Sequence, residues 1–266
     1  MLKLLNYLVT RKVATSRKLF APLGEGVRGL PMLTGEPISD AECGALVEGC
    51  PTGALKVVAD ASSQKMLQLD RGACTACGFC LDVCPSAALK NDSSTMVAAR
   101  TRDELVSTAK LSGATCVTAA QNGESRESLL RNIFGRSIAI RVVSTGCSSC
   151  DLEVGAAGNP IFDMERFGMQ VVASPRFADV LLVTGPVPKA MHDPLRLCYE
   201  AMSEPRLVVA IGSCAISGGI HKGAYTEANG AAAIVPVDVF VPGCPPHPWS
   251  IIDGIAMAMR RKRQQP

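Results

Sequence analysis

Residues 144–154 read Ser144-Thr-Gly-Cys147-Ser-Ser-Cys150-Asp-Leu-Glu-Val, and two later stretches, Gly212-Ser-Cys214 and Pro242-Gly-Cys244-Pro-Pro, each add a single cysteine. Each stretch directly follows a short run of branched apolar residues, which is typical of a parallel strand buried on both faces. The carboxyl ends of such strands meet at one edge of an open α/β sheet, where ligands bind. We therefore expect four cysteine sulfurs to meet at this edge.

Four cysteine thiolates hold either a zinc ion or an iron-sulfur cluster. Structural zinc sites usually combine two C-x2-C motifs, whereas here one C-x2-C is joined by two solitary cysteines far along the chain. This spacing favours a [4Fe-4S] cluster over zinc. Four unrelated buried thiols are disfavoured, because three of the four lie at a strand end beside a glycine. The predicted ligands are Cys147, Cys150, Cys214 and Cys244.

The second half of the chain resembles the small subunit of nickel-iron hydrogenases. It is most similar to the membrane-bound, energy-converting (group 4) branch, which is related to the 20 kDa-type cluster subunit of respiratory complex I. The resemblance implies that the four cysteines hold the [4Fe-4S] cluster nearest to a catalytic large subunit. Complex I subunits have two adjacent cysteines at the first ligand position, whereas this chain has the hydrogenase spacing. The resemblance covers residues 136–258 and rests on Cys147–Asp151, Ala173–Pro186, Gly212–Ile220 and Val235–Pro246.

Residues 40–56 align without gaps on residues 74–90, and the second copy is a complete C-x2-C-x2-C-x3-C-P motif. Over residues 34–92 this pattern resembles the two-cluster bacterial ferredoxins. In that family, three cysteines of one copy and the fourth cysteine of the other copy hold each cluster. The resemblance implies one [4Fe-4S] site made by Cys50, Cys74, Cys77 and Cys80.

The second ferredoxin site would need ligands at Asp40, Cys43, Leu46 and Cys84. Leucine cannot bind iron, and a carboxylate is a poor ligand for such a cluster. We expect this half-site to be empty, with Cys43 and Cys84 left as neighbouring thiols that can pair if oxidised. The alternative is a three-iron cluster on Asp40, Cys43 and Cys84.

The composition limits the classes of protein to consider. With 266 residues, 47% of them hydrophobic, the chain is long enough for one ordinary domain and a smaller one. The net charge of +3 is too small to indicate nucleic-acid binding. We see no signal peptide, so we expect the twelve cysteines to be metal ligands and reduced thiols in the cytoplasm. No apolar run approaches the roughly 18–20 residues that span a bilayer.

The predicted fold class is α/β, with a flavodoxin-like parallel sheet domain preceded by a small α+β ferredoxin domain. Residues 1–33 read as a basic amphipathic arm and linker, which lies on a membrane partner or lipid, packs on its own domain, or is disordered. Residues 34–92 are the ferredoxin-like domain, residues 93–136 a connector with a short helix at 102–111, and residues 137–266 the hydrogenase-like domain.

In the last domain we expect five strands and three helices. No phosphate loop or dinucleotide motif follows a strand, so NAD, flavin or ATP binding is not indicated. The strands are predicted at 138–143, 170–173, 180–184, 207–211 and 234–241, and the helices at 160–167, 194–202 and 250–260.

Other chemically active side chains read as structural. Cys116 and Cys198 are expected to be small buried residues. The three lone histidines, His192, His221 and His247, are expected on the surface or in hydrogen bonds, although His247 follows the Cys244 motif closely enough to contact a cluster's surroundings. Asp151 and Glu153 suit the first turn of a helix.

The resemblances together imply an electron-transfer subunit with two [4Fe-4S] clusters and no catalytic residue of its own. The expected partners are a hydrogenase-type large subunit and further iron-sulfur or membrane subunits, with no nucleic acid. The expected location is peripheral, on the cytoplasmic face of the inner membrane. One alternative is the same relay beside a quinone site or a metal-free large subunit, and another is a zinc-stabilised structural adaptor.

Overall fold

A computed structural model describes Val9, Thr15, Ser16 and residues 18–59, 63–111 and 137–264, with side chains described as far as Met259. Most of the expected amphipathic arm therefore lies outside the described residues. The same holds for the second part of the connector with Cys116, and for the side chains of the basic residues near the end of the chain.

The N-terminal unit contains two small antiparallel sheets. In the first, strand β1 pairs with β4, and in the second the strand order is β2-β3-β5. One helix follows β1 and a second, shorter helix follows β3, so each copy of the sequence repeat contributes a strand, a helical segment and a strand. The elements are β1 (Leu30–Leu33), α1 (Asp40–Glu48), β2 (Leu55–Ala59), β3 (Lys65–Asp70), α2 (Phe79–Asp82), β4 (Leu89–Asp92) and β5 (Val106–Lys110).

The short helix expected at 102–111 is wrong, because only Asp103–Leu105 form a helical turn and β5 follows at once. The β-branched Val106 and Thr108 favour a strand. Ala109 is buried opposite Leu67 of β3, so β5 covers an edge of the β2-β3 hairpin. The sheet of the small unit therefore extends into the stretch that we predicted as a connector.

The second unit is a five-stranded parallel sheet with the order β7-β6-β8-β9-β10. Counted along this unit the order is 2-1-3-4-5, which is the flavodoxin-like arrangement, and the predicted fold class is confirmed. Every residue of β8 and β9 is buried, as expected for central parallel strands. The strands are β6 (Ile138–Ser144), β7 (Met169–Val171), β8 (Val180–Thr184), β9 (Leu207–Ile211) and β10 (Val239–Val241).

The helices of the second unit cover both faces of the sheet. The last helix packs on one face of the sheet, where its Trp249, Ile252 and Ile255 form one buried cluster with Ile138 and Ile140 of β6. Leu195 belongs to another cluster, on the opposite face of β8. The helices are α3 (Ser148–Ala157), α4 (His192–Glu200), α5 (Gly212–Ser217) and α6 (Pro248–Gln264). Within the described residues, no helix has both the length and the apolar character needed to cross a membrane.

Two predicted elements are shorter in the structure. The last strand forms only at Val239–Val241, since Pro236 cannot donate a backbone hydrogen bond and a helical turn occupies Ala231–Ala233. The helix expected at 160–167 is reduced to a turn at Met164–Phe167, which begins after Asp163 in a left-handed conformation. Helix α3 is not among the three listed helices, although Asp151 and Glu153 were expected to suit the first turn of a helix, and α5 was missed. Both helices carry predicted cysteine ligands.

The two units are in direct contact. Ala99, after β4, exchanges two backbone hydrogen bonds of 2.9 and 2.8 Å with Phe240 of β10. The Ser217 hydroxyl donates to the carbonyl oxygen of Gly72 at 3.2 Å. Phe20 packs on Trp249 with ring centroids 5.4 Å apart. The small unit is therefore held against β10, α5 and α6 of the large one.

Candidate iron-sulfur sites

The first candidate site, called here the sheet-edge site, consists of Cys147, Cys150, Cys214 and Cys244. Cys147 is the N-cap residue of α3 and follows the end of β6 by three residues, and Cys150 lies in the first turn of that helix. Cys214 lies in α5, directly after β9. Cys244 follows β10 by three residues. All four cysteines therefore leave the carboxyl edge of the parallel sheet, where ligands bind in such folds.

The electrostatics of these thiols show that they lie close together. Burial raises the pKa of Cys150 to about 12, and Cys147, Cys244 and Cys214 add to the shift in that order. The pKa of Cys214 is raised to about 11, again by burial first and then by Cys244 and Cys147. Four thiolates would repel one another here unless a cation compensated their charge, which is what the iron atoms of a cluster provide.

The backbone approaches two of the sulfurs at glycines. A Cβ atom on Gly212 would lie 2.6 Å from the Cys150 sulfur, and one on Gly219 would lie 2.8 Å from the Cys214 sulfur. A backbone hydrogen bond from Ile220 also lowers the pKa of Cys214, against the larger effect of burial. Bare backbone around sulfurs, with an N–H group directed at one of them, fits an iron-sulfur cluster, whose properties depend on such hydrogen bonds.

Asp151 fixes the C-x2-C turn. Its carboxylate accepts a hydrogen bond of 2.5 Å from the Ser144 hydroxyl, at the end of β6, and another of 2.5 Å from the Thr184 hydroxyl, at the end of β8. The first turn of α3 is thereby tied to two neighbouring strands. Asp151 therefore has a structural role, in line with the sequence-based interpretation.

The second candidate site, called here the repeat site, consists of Cys50, Cys74, Cys77 and Cys80, which line one apolar cavity. The pKa of Cys74 is raised to about 12 by burial and then by Cys80, Cys50 and Cys77. That of Cys80 is raised to about 11 by burial, followed by Cys77 and Cys50. These four thiols are therefore also neighbours.

Backbone donors reach the sulfurs of the repeat site as well. The N–H of Ala54 donates to the Cys50 sulfur at 3.2 Å, and the N–H of Ala76 donates to the Cys74 sulfur at 3.4 Å. Such bonds stabilise negative charge on sulfur. The donor set of the repeat site thus fits a [4Fe-4S] cluster in the same way as the sheet-edge site. Within the described parts of the chain, no group of three His, Cys, Asp or Glu side chains is arranged to hold a single metal ion.

The degenerate half-site has a different local structure from its intact counterpart. In the second copy of the repeat, residues 74–78 are irregular, whereas the aligned residues of the first copy form α1. A reciprocal pair of hydrogen bonds between Ser39 and Glu42 begins this helix. Cys43 is 2% exposed and Leu46 is 0% exposed. Both pack with Cys84 in the apolar core of the small unit, while Asp40 is exposed.

The remaining predicted residues lie outside both sites. Cys198 is half-buried on α4, where Arg141 lowers its pKa against the larger effect of burial. His247 accepts a hydrogen bond at Nδ1 from the Trp249 backbone at 3.2 Å, and burial lowers its pKa. Sequence reasoning missed the contact between Ser217 and Gly72, which joins α5 to the loop before Cys74. No motif marks that contact.

Comparison with known proteins identifies both units. Residues 147–258 match the family described as NADH ubiquinone oxidoreductase, 20 Kd subunit. Over 140 residues the chain is 44% identical to the probable membrane-bound hydrogenase subunit mbhJ of Pyrococcus furiosus, an alignment that covers 52% of this chain and 83% of that protein. The chain belongs to the 20 Kd subunit family. Residues 67–90 match the 4Fe-4S binding domain, so the small unit of this 20 Kd subunit family member is an iron-sulfur domain.

Two further relatives of this family member are named as subunits of two different kinds of oxidoreductase. Formate hydrogenlyase subunit 7 of Escherichia coli is 43% identical over 134 residues, which is 50% of this chain and 52% of that protein. The chain thus spans about half the length of that relative. An NADH-quinone oxidoreductase subunit of Carboxydothermus hydrogenoformans is 42% identical over 134 residues, which is 50% of this chain and 80% of that protein. The family is one of oxidoreductase subunits, fused here to a ferredoxin-type domain.

Proposed function

We propose that this chain is a non-catalytic electron-transfer subunit that holds one [4Fe-4S] cluster at the repeat site and one at the sheet-edge site. Such a cluster supplies one-electron transfer when bound. The chain's own residues provide the eight thiolates, direct backbone N–H groups at the sulfurs and hold the two sites in one folded body. The observation that carries the proposal is the convergence of Cys147, Cys150, Cys214 and Cys244 on the carboxyl edge of the parallel sheet.

The proposed partner is a hydrogenase-type large subunit with a nickel-iron centre, in a complex with further iron-sulfur or membrane subunits. The hydrogenase spacing of Cys147 and Cys150 supports this partner, as does the relative that is named as a membrane-bound hydrogenase subunit. The proposed location is peripheral, on the cytoplasmic face of the inner membrane through those partners. The second candidate is a relay beside a quinone site or a metal-free large subunit, which the likeness to the NADH-quinone oxidoreductase subunit of Carboxydothermus hydrogenoformans favours.

Iron and sulfide counting on anaerobically purified protein tests the cluster assignment. About eight irons and eight sulfides per chain are expected, together with two distinct [4Fe-4S] signals in the electron paramagnetic resonance spectrum of the reduced protein. A colourless protein that contains zinc would instead establish the structural adaptor. Nickel counting on the complex purified from its native host separates the two partner hypotheses, since about one nickel per chain is expected only with a nickel-iron large subunit.

Replacing Cys43 with alanine should leave the iron content unchanged. Cys43 lies on α1 inside an apolar core. The irregular loop at residues 74–78, which carries cluster ligands in the second copy, has no counterpart in the first copy, where the aligned residues form α1. The loss of a buried sulfur should lower the free energy of unfolding by about 1–2 kcal/mol. Iron counting and urea denaturation measure the two effects. Cys77→Ala, at the aligned position of the second copy, is the matched variant and should lose about four irons. Loss of iron in Cys43→Ala would show that the first copy also binds a cluster.

A further inference from the structure

Arg28 is a cationic side chain placed directly against the cysteine loop of the repeat site. Its Nη1 donates a hydrogen bond of 2.8 Å to the carbonyl oxygen of Cys77. A Cβ atom on Gly78 would lie 3.5 Å from Arg28 Nε, so the guanidinium also covers the next residue of the loop. The positive charge is therefore in contact with the backbone of a predicted ligand.

The backbone on both sides of Arg28 is held by one side chain. The Asn91 side chain of β4 donates from Nδ2 to the carbonyl oxygen of Val27 at 3.0 Å. Its Oδ1 accepts a hydrogen bond of 2.7 Å from the N–H of Gly29. Arg28 is thus presented to the cysteine loop from a clamped segment, so its position does not depend on the guanidinium contact alone.

Within the described residues, no salt bridge neutralises the charge of Arg28. Arg28 lines a cavity of ≈ 160 Å³ together with Ala76, with Gly243, Pro245 and His247 of the Cys244 loop, and with one acidic residue, Glu153. Arg28 therefore contacts the repeat site and shares a cavity with the Cys244 loop.

A cluster bound by four thiolates gains one negative charge when it takes up one electron, and no bond forms or breaks. A nearby cation stabilises the reduced state more than the oxidised state, and net charge is one of the factors that set the potentials of such clusters. We propose that Arg28 is a positioning residue for electron transfer that raises the reduction potential of the repeat-site cluster above that of the same site without the charge. This inference rests on the proposed function.

The test is a redox titration of the full chain, followed by electron paramagnetic resonance, in which the two clusters give separate midpoints. Arg28→Gln removes the charge and keeps a hydrogen-bond donor. At a fixed potential it should lower the reduced-to-oxidised ratio of the repeat-site cluster at least threefold, a shift of about 30 mV at 59 mV per tenfold. Arg28→Lys keeps the charge and should stay close to the unsubstituted protein. Arg196→Gln, an exposed arginine on α4, is the control and should cause no shift.

Because Arg28 is exposed, the shift in the midpoint potential should depend on salt. The difference between Arg28→Gln and the unsubstituted protein should shrink as salt rises from 0.1 M to 1 M, because the Debye length falls from about 10 Å to about 3 Å. An unchanged midpoint in Arg28→Gln overturns the inference. A shift in Arg28→Lys as large as that in Arg28→Gln also overturns it, since geometry and not charge would then be responsible.

A variant that fails to bind iron does not end the test. If Arg28→Gln lacks the repeat-site signal, Arg28→His replaces it. In Arg28→His, the midpoint potential of the repeat-site cluster should fall more steeply than in the unsubstituted protein as the pH rises through the imidazole pKa of about 6.5. An equal slope overturns the inference. If the unsubstituted protein itself lacks the repeat-site signal, the two-cluster function fails, which is a different result from an intact cluster that ignores Arg28.

Discussion

Replacing Cys214 with alanine is expected to abolish the sheet-edge [4Fe-4S] signal and to reduce the iron content from about eight to about four per chain. Cys214 is buried in α5 and interacts with Cys244 and Cys147, so its removal leaves three thiolates for a four-ligand cluster. The repeat-site signal should remain, because its four cysteines belong to the other unit. Iron and sulfide counting with electron paramagnetic resonance measures both effects in one sample.

The matched control for this variant is Cys198→Ala. Cys198 is a half-buried cysteine in the same unit, on α4, and Arg141 is its close charged neighbour. Its removal should leave both signals and the iron content unchanged. Retention of both signals in Cys214→Ala would show that the sheet-edge thiols do not hold a common cluster. Loss of both signals would mean that unfolding, and not ligand loss, dominates, which denaturation curves of the two variants would reveal.

Replacing Gly212 with alanine should remove the same cluster without touching a cysteine. The backbone of Gly212 has a φ of +88°, which residues other than glycine rarely adopt. The added Cβ atom would also lie 2.6 Å from the Cys150 sulfur. The strained backbone costs about 1–3 kcal/mol. The sulfur must also move, so we expect an iron content of about four per chain and loss of the sheet-edge signal.

Gly155→Ala is the matched control for Gly212→Ala. Gly155 lies on α3, the helix that carries Cys150, and an added Cβ atom there meets no atom within 4 Å. Alanine in a helix is favoured over glycine by about 1 kcal/mol, so this variant should keep both clusters and gain stability. A Gly212→Ala protein with a full iron content would show that the sulfur can shift within the loaded site.

The candidate sites could be predicted from the sequence because their signals are local. The C-x2-C motifs and the strand ends beside Cys147, Cys214 and Cys244 need no knowledge of distant residues. The parallel character of the sheet also follows from the alternation of strands and helices. The strand limits at 180–184 and 207–211 were predicted correctly, since both central strands are continuous apolar runs.

The rest depends on contacts between residues that are far apart in the chain. Residues 106–110 become a strand because β3 offers an open edge, and local propensity did not indicate that partner. Residues 239–241 form a strand while 234–238 do not, because the sheet ends there and proline interrupts the pairing. Arg28 and Ser217 donate hydrogen bonds to the distant carbonyl groups of Cys77 and Gly72, and no periodicity or motif marks such contacts.

The backbone pairing of Ala99 with Phe240 and the contact of Ser217 with Gly72 join the two thiol sets within one polypeptide. A free ferredoxin must find its acceptor by diffusion, so its rate of delivery falls with dilution. A tethered donor has a fixed effective concentration instead. Electron transfer between clusters at the repeat site and the sheet-edge site should therefore be first order. Its rate should be the same in a dilute extract and in a crowded cell.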